Sequence, residues 1–294
     1  MTGPALRRLV AAPHPDRAPL PPAAVREPGV RELRGVPYHQ ASGSRPLELD
    51  LWLPGTAPAA GPAPLVLFVH GGAWLQGRRD DMGPRTRQWA PGPFARIAAA
   101  GSAVACVDYR LSGEAAFPAP LDDVRAALRW LALRGPELGV DAGRTVVWGE
   151  SAGGHLASLL ALDEPGVAGA VIWYGPSDLT AARGPFRPED PATPEALLLG
   201  AAPAALPETA RAASPLARVR PGAPPFLLVH GDADTMVDHS HSASLAAALR
   251  GAGAAADLWT VPGADHGWHG LPEAEVERIF TRSLDFVRAR TSKA

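Results

Sequence analysis

Lysine is almost missing from this chain: of its 28 basic residues, only Lys293 is lysine. Cysteine is as scarce, and the single Cys106 excludes an intrachain disulfide and a thiolate metal cluster. It sits in A-V-A-C-V-D and reads as a buried core residue. No apolar run approaches the roughly 20 residues that a membrane-crossing helix needs. The opening residues, M-T-G-P-A-L-R-R-L-V, lack the long apolar stretch of a secretory signal, so a cytoplasmic location is expected. Charge of one sign is lacking too, with a formal net charge of −2. That leaves no electrostatic footprint for nucleic acid or an anionic membrane as partner, and oligomeric state is not legible.

What is present is apolar bulk. Hydrophobic residues make up 46% of 294 positions, enough for a large core in one domain. Residues 1–30 are rich in Pro, Ala and Arg without periodicity, and read as an irregular arm ahead of a domain over 31–294. Leu47–Leu53 alternates apolar and polar residues, predicting a half-exposed strand. Pro64–His70, Ala103–Asp108, Thr145–Gly149, Ala170–Gly175 and Pro225–Gly231 are short apolar runs, predicting strands covered on both faces. Asp257–Val261 adds a further strand.

Helical spacing of Leu121, Val124, Leu128 and Leu131 predicts a helix over Pro120–Gly135, with Gly135 as its stop. Further helices are expected over Ser151–Leu162, Ser240–Arg250 and Glu273–Arg290. Alternating strands and helices predict an α/β domain with a mostly parallel sheet wrapped on both faces. Between Tyr174 and Pro225 the pattern lapses, apart from a short helix near Pro194–Leu199. Residues 176–224 therefore read as a lid or connection beside a binding site.

The segment G-E-S-A-G, Gly149–Gly153, falls where a strand ends and a helix begins. A serine held on so tight a turn leaves no room for side chains two residues away, which glycine satisfies on both sides. The plainer alternative is a strand-to-helix turn with Ser151 as an N-cap. A nucleophilic serine needs a base, and the base an orienting acid. H-G-D-A-D-T-M-V and P-G-A-D-H-G-W follow strands that end at the same sheet edge. His266 is the expected base and Asp234 the expected acid. Asp232 suits a turn and Asp238 the start of the next helix, while Asp265 is expected to point elsewhere.

The other histidines have plain readings. His230 closes a strand, His155 packs behind the serine, and His239, His241 and His269 are expected in solvated loops. No ligand spacing marks a metal site. H-G-G-A-W, His70–Trp74, follows the first buried strand and can supply the second half of an oxyanion hole. Gly72 and Ala73 are the expected donors opposite Ala152, with Gly71 a further possibility. His70 is expected to hydrogen-bond within the loop, and Trp74 to wall the site or pack beneath it as a substrate-binding residue.

Together H-G-G-A-W, D-Y-R-L (Asp108–Leu111), G-E-S-A-G-G-H, H-G-D-A-D-T-M-V and G-A-D-H-G resemble the α/β-hydrolase fold. Within it they resemble esterases and lipases related to hormone-sensitive lipase. The H-G-G-x-W form is similar to the branch holding kynurenine formamidases and small bacterial carboxylesterases. Ala73 stands where the lipases usually carry a third glycine, and the short arm here differs from their helical cap. The resemblance favours Asp234 among the three aspartates. It implies hydrolysis of small or medium acyl esters through an acyl-enzyme, without cofactor or metal. A formamide substrate is the alternative within the same machinery, and a non-catalytic binding protein the alternative outside it.

Overall fold

The computed structural model describes residues 14–26, 29–55 and 61–292. Its apolar runs form strands β1 (Ala24–Arg26), β2 (Val30–His39), β3 (Leu47–Leu53), β4 (Ala63–Val69), β5 (Ala103–Val107), β6 (Val140–Glu150), β7 (Val167–Trp173), β8 (Phe226–Gly231) and β9 (Ala256–Val261). They make one sheet in the order β1-β2-β3-β5-β4-β6-β7-β8-β9. Pairing is antiparallel from β1 to the β3–β5 contact and parallel from there to β9. Every parallel strand therefore delivers its carboxyl end to one edge.

The crossovers are α1 (Pro93–Ala99), α2 (Ala119–Leu138), α3 (Ala152–Asp163) and α6 (Ser240–Gly251), with α4 (Pro194–Leu199) and α5 (Pro207–Ala212) inside the long connection. Helix α7 (Glu273–Thr291) closes the described chain. Strand periodicity sorts side chains between two cores. Leu65, Leu67 and Val69 of β4 share one core with residues of α2, α3 and α6 on one face. Val66 and Phe68 share the other with residues of α1 and α7. Each such fully buried side chain contributes about 1.5–3 kcal/mol. Among the described residues, no helix is long and apolar enough to cross a membrane.

Three local expectations need correction. Leu47–Leu53 is not half-exposed, because its polar face is covered by arginines. Asp50 is buried; it accepts from Gly35 N (2.8 Å), Arg79 Nε (2.9 Å) and Arg34 Nη1 (2.7 Å). Alternation thus recorded a buried charge rather than solvent. Helix α2 runs past Gly135 to Leu138, and Gly139 (φ 73°) is the left-handed cap. Gly135 serves packing instead: a Cβ there would lie 2.9 Å from the Val140 carbonyl oxygen. In the stretch read as an irregular arm, Ala24–Arg26 forms β1 with every side chain exposed, so burial left no pattern to read. Pro15 and Ala18 offer carbonyls to Trp130 and Arg134 of α2, while residues 1–13 of the arm lie outside the described residues.

Replacing Asp50 by Ala removes one carboxylate from Arg34, which keeps Glu32 and Asp80, and from Arg79, which keeps Glu48 and Asp108, and leaves the Gly35 N–H without its acceptor. Because Arg34 is half-exposed, the cost should fall short of a fully buried pair, at about 2 to 4 kcal/mol. Chemical denaturation of the Asp50→Ala variant should show that loss as a lower midpoint at unchanged slope.

Candidate active site

The end of β6 and the start of α3 approach until backbones touch. A Cβ on Gly149 would sit 2.3 Å from the Gly153 carbonyl oxygen, and one on Gly153 would sit 2.1 Å from that of Val69. Ser151, between them, takes φ 53° and ψ −123°, a conformation costly for any side-chain-bearing residue. Its side chain caps no N–H of α3, so the N-cap alternative does not describe it.

The loop after β8 and the loop after β9 reach this serine. His266 Nε2 lies 2.9 Å from Ser151 Oγ, and His266 Nδ1 lies 2.8 Å from Asp234 Oδ2. Asp234 Oδ1 accepts from the N–H groups of Met236 (2.9 Å) and Val237 (2.8 Å). Burial opposes the charge on Asp234, yet hydrogen bonds from His230 and His266 outweigh it and hold the carboxyl well below its usual range. The three expected residues are thus in one continuous hydrogen-bonded chain. Such a chain can withdraw the hydroxyl proton onto the imidazole and keep the resulting cation beside a carboxylate.

The neighbouring aspartates have other tasks. Asp232 accepts from Gly263 N at 2.7 Å and ties two loops together. Asp238 accepts from Ser240 N at 2.9 Å as α6 begins. Asp265 accepts from Thr235 N (2.7 Å) and His266 N (2.7 Å), turning away from the serine.

Opposite Ser151, the loop His70–Trp74 carries three successive positive φ values: Gly72 108°, Ala73 56° and Trp74 58°. Among the described residues, the backbone N–H groups of Gly72, Ala73 and Ala152 make no hydrogen bond within the chain. Gly71 differs from the expectation: its N–H is donated to Glu150 Oε1 at 2.7 Å and is not free for a substrate oxygen. The loop is braced from behind. His70 Nδ1 donates to the Gly71 carbonyl (2.7 Å), its ring stacks on Tyr109 (4.5 Å), and the Tyr109 hydroxyl donates to the His70 carbonyl (3.0 Å).

Trp74 is buried, and its indole N–H reaches His155 Nδ1 at 3.3 Å. His155 Nε2 donates to the Ala213 carbonyl at 2.6 Å, and burial pushes this imidazole down to about 4. His155 is therefore a neutral brace behind the serine. His241 is not in a solvated loop: it is buried on α6, accepting from Ser177 N at 3.2 Å. His269 is exposed. Among the described residues, no cluster of three or more His, Cys, Asp or Glu could hold a metal ion.

Ser151, His266, Gly72, Ala73, Trp74 and Ala152 all line one cleft of about 670 Å³. Two further lining or flanking groups escaped the motif reading. Glu150, the first variable residue of G-E-S-A-G, lies in the same cleft, and its pairing with Gly71 joins the serine turn to the loop His70–Trp74. Tyr174 (φ 40°) places its ring 4.6 Å from that of His266. A charged residue beside the glycine-flanked serine was a signal for the first; nothing in the sequence marked the second.

A family model described as BD-FAE matches residues 49–249, more than half of the chain. Esterase LipC of Mycobacterium tuberculosis is 30% identical over 303 residues, spanning 96% of this chain and 72% of LipC. The chain belongs to the α/β-hydrolase esterases, in the hormone-sensitive-lipase-like branch. Esterase LipQ of the same organism is 32% identical to this esterase over 79% of the chain, which spans about half of LipQ, 56% of its length. A truncated carbohydrate esterase from gut microbiota shares its fold with TM-score 0.77 at 28% identity, covering 92% of this chain and 99% of that one. Esterase Est2 of Thermogutta terrifontis shares the fold at TM-score 0.69 and 24% identity, over 89% of this chain and 92% of its own.

Glu150 gives a pH test of how this esterase joins its two motifs. Burial raises its pKa against the lowering by His266 and the Gly71 N–H. For an acid with a raised pKa, folding favours the protonated form. Its ionisation therefore costs stability above the ordinary glutamate range of about 4.3 and costs nothing below it. Glu150→Gln, which keeps the carbonyl acceptor, should raise the melting temperature at pH 7.5 and leave it unchanged near pH 4. Equal differences at both pH values would show that the charge is not strained there.

Proposed function

We propose that this esterase cleaves carboxylic esters of small or medium acyl groups through an acyl-enzyme on Ser151. The observation that carries the reading is the unbroken contact from Ser151 Oγ through His266 to Asp234, at 2.9 and 2.8 Å. His266 removes the hydroxyl proton as Ser151 attacks the acyl carbon, then returns it to the departing alcohol. Asp234 orients the imidazole and stabilises its cation. Water, activated by the same histidine, attacks the acyl-enzyme and releases the acid. Carbonyl oxygen charge is taken by the N–H groups of Gly72, Ala73 and Ala152, each such donor supplying about 3 to 4 kcal/mol of barrier lowering.

The cleft volume of about 670 Å³ sits within the range of small-molecule sites and supports a compact substrate. Trp74, buried beneath the loop, forms its floor. The connection over residues 176–224 acts as the wall opposite, contributing Pro176 and Arg183 to the lining. Every step uses groups of the chain and water, so no cofactor is invoked.

Turnover of p-nitrophenyl acetate tests the reading. Ser151→Ala should lower kcat by at least about 10³-fold and abolish labelling by a fluorophosphonate probe. Equal turnover by wild type and Ser151→Ala would refute it. N-formylkynurenine, offered at matched concentration, should be the poorer substrate; a large preference for it would assign the same machinery to formamides.

A further inference from the structure

We propose that His230 is a positioning residue that holds Asp234 Oδ2 together with His266, so that two imidazoles meet at one carboxylate oxygen. This rests on the reading of Ser151, His266 and Asp234 as the reacting unit.

His230 closes β8, is fully buried, and takes no part in the steps above. Its Nε2 lies 2.8 Å from the Val237 carbonyl oxygen and 3.3 Å from Asp234 Oδ2. A carbonyl only accepts, so Nε2 carries the proton and aims it at Val237, and Asp234 Oδ2 lies against the same N–H as a longer polar contact. Its Nδ1 lies 2.7 Å from Ser242 Oγ on α6. Asp234 is thereby saturated. Two backbone amides hold Oδ1, and two ring nitrogens hold Oδ2. Without His230, Oδ2 is held by His266 alone, the ring whose own proton must move.

The second effect is electrostatic. The His230 N–H draws negative charge from Oδ2, the oxygen that also faces His266, and so moderates the pull of Asp234 on the His266 proton. Removing it stabilises the imidazolium and keeps the base protonated to higher pH. The other titratable groups facing His230 are His239, whose ring stands edge-on at 5.6 Å, and Asp238 and His241 at the start of α6. They stay in place in the variants below, so the change in the acid limb reads His230 itself.

The test is the pH dependence of kcat and kcat/KM for p-nitrophenyl acetate with the full chain. His230→Leu should move the acid limb up by about half a pH unit or more and lower kcat about tenfold, with KM within about twofold. His230→Gln, whose amide N–H reaches the same acceptors, should recover most of the rate. The low-field proton of the His266 Nδ1–H···Asp234 bond should shift in His230→Leu and return in His230→Gln. A folded His230→Leu enzyme with wild-type kcat and acid limb overturns the proposal, as does a lower melting temperature with kinetics unmoved. If His230→Leu does not fold, Ser242→Ala carries the test: it weakens His230 as a donor and should move the limb the same way by less. An unmoved limb there overturns the proposal too. Undiminished turnover by Ser151→Ala would instead sink the reading of the reacting unit, whatever His230 does.

Discussion

The close approach of two backbones at residues 149 and 153 is the constraint on which the rest depends. It forces Ser151 into φ 53°, and nothing nearby can yield to relax it, because α3 is buried from Ala152 to Leu162. Strain of about 1–3 kcal/mol persists only where the surroundings over-determine it. Here they do: the Ser151 N–H is donated to the Trp173 carbonyl at 2.9 Å, while the Ser151 carbonyl accepts from His155 N at 3.0 Å. The strained turn keeps its hydroxyl off the sheet and the Ala152 N–H beside it. Packing energy from the whole helix thus fixes a geometry that no local preference would choose.

Two carboxylates flank that serine, and their surroundings set them apart. Asp234 is met by four donors, so its charge is stabilised in spite of burial. Glu150 has one backbone donor, from Gly71, and burial raises its pKa. The charged form of one acid is therefore favoured beside the imidazole, while burial disfavours the charge on the other, which latches a loop. A latch need not be strong to be useful. Gly71 must be glycine for it to close, since a Cβ there would lie 2.3 Å from Glu150 Oε1. The carboxyl is kept there because it ties the serine turn to the loop after β4.

The parallel strands, Ser151 and His266 were legible because each is announced locally, while Asp234 was singled out among three aspartates with the help of the family resemblance. An apolar run stopping at Gly149, Gly231 or Val261 marks a strand end, and the sheet then gathers those ends at one edge. What escaped was information that sits between elements. Asp50 looked like a solvent-facing position because alternation cannot tell water from two arginines. Gly135 looked like a helix stop because composition does not reveal that Val140 returns against it. His241 looked solvated, since D-H-S-H reads as polar until Ser177 is known to lie against it. Glu150 and His230 were visible as residues, yet their tasks depend on partners 79 residues and four residues away that only the fold brings near.

The long connection shows the same limit from the side of specificity. It buries apolar residues such as Leu179, Leu198 and Ala213 in the core without a regular repeat, and single polar contacts fasten it further. Phe117 N donates to the Leu198 carbonyl at 2.8 Å, Leu179 N to Ser214 Oγ at 2.9 Å, and Ser177 Oγ to the His241 carbonyl at 2.7 Å. Arg183 pairs with Glu195 inside the connection and donates to the Met236 carbonyl at 3.0 Å, beside the amide that holds Asp234. A Cβ on Gly184 would lie 2.9 Å from the carbonyl oxygens of Thr235 and Met236, so the connection rests directly on the acid-bearing loop. A segment fastened this way is tied at several points to the loop that carries Asp234. Changes within it will therefore reach the cleft through the loop of Asp234 as well as through any side chain they place in the opening.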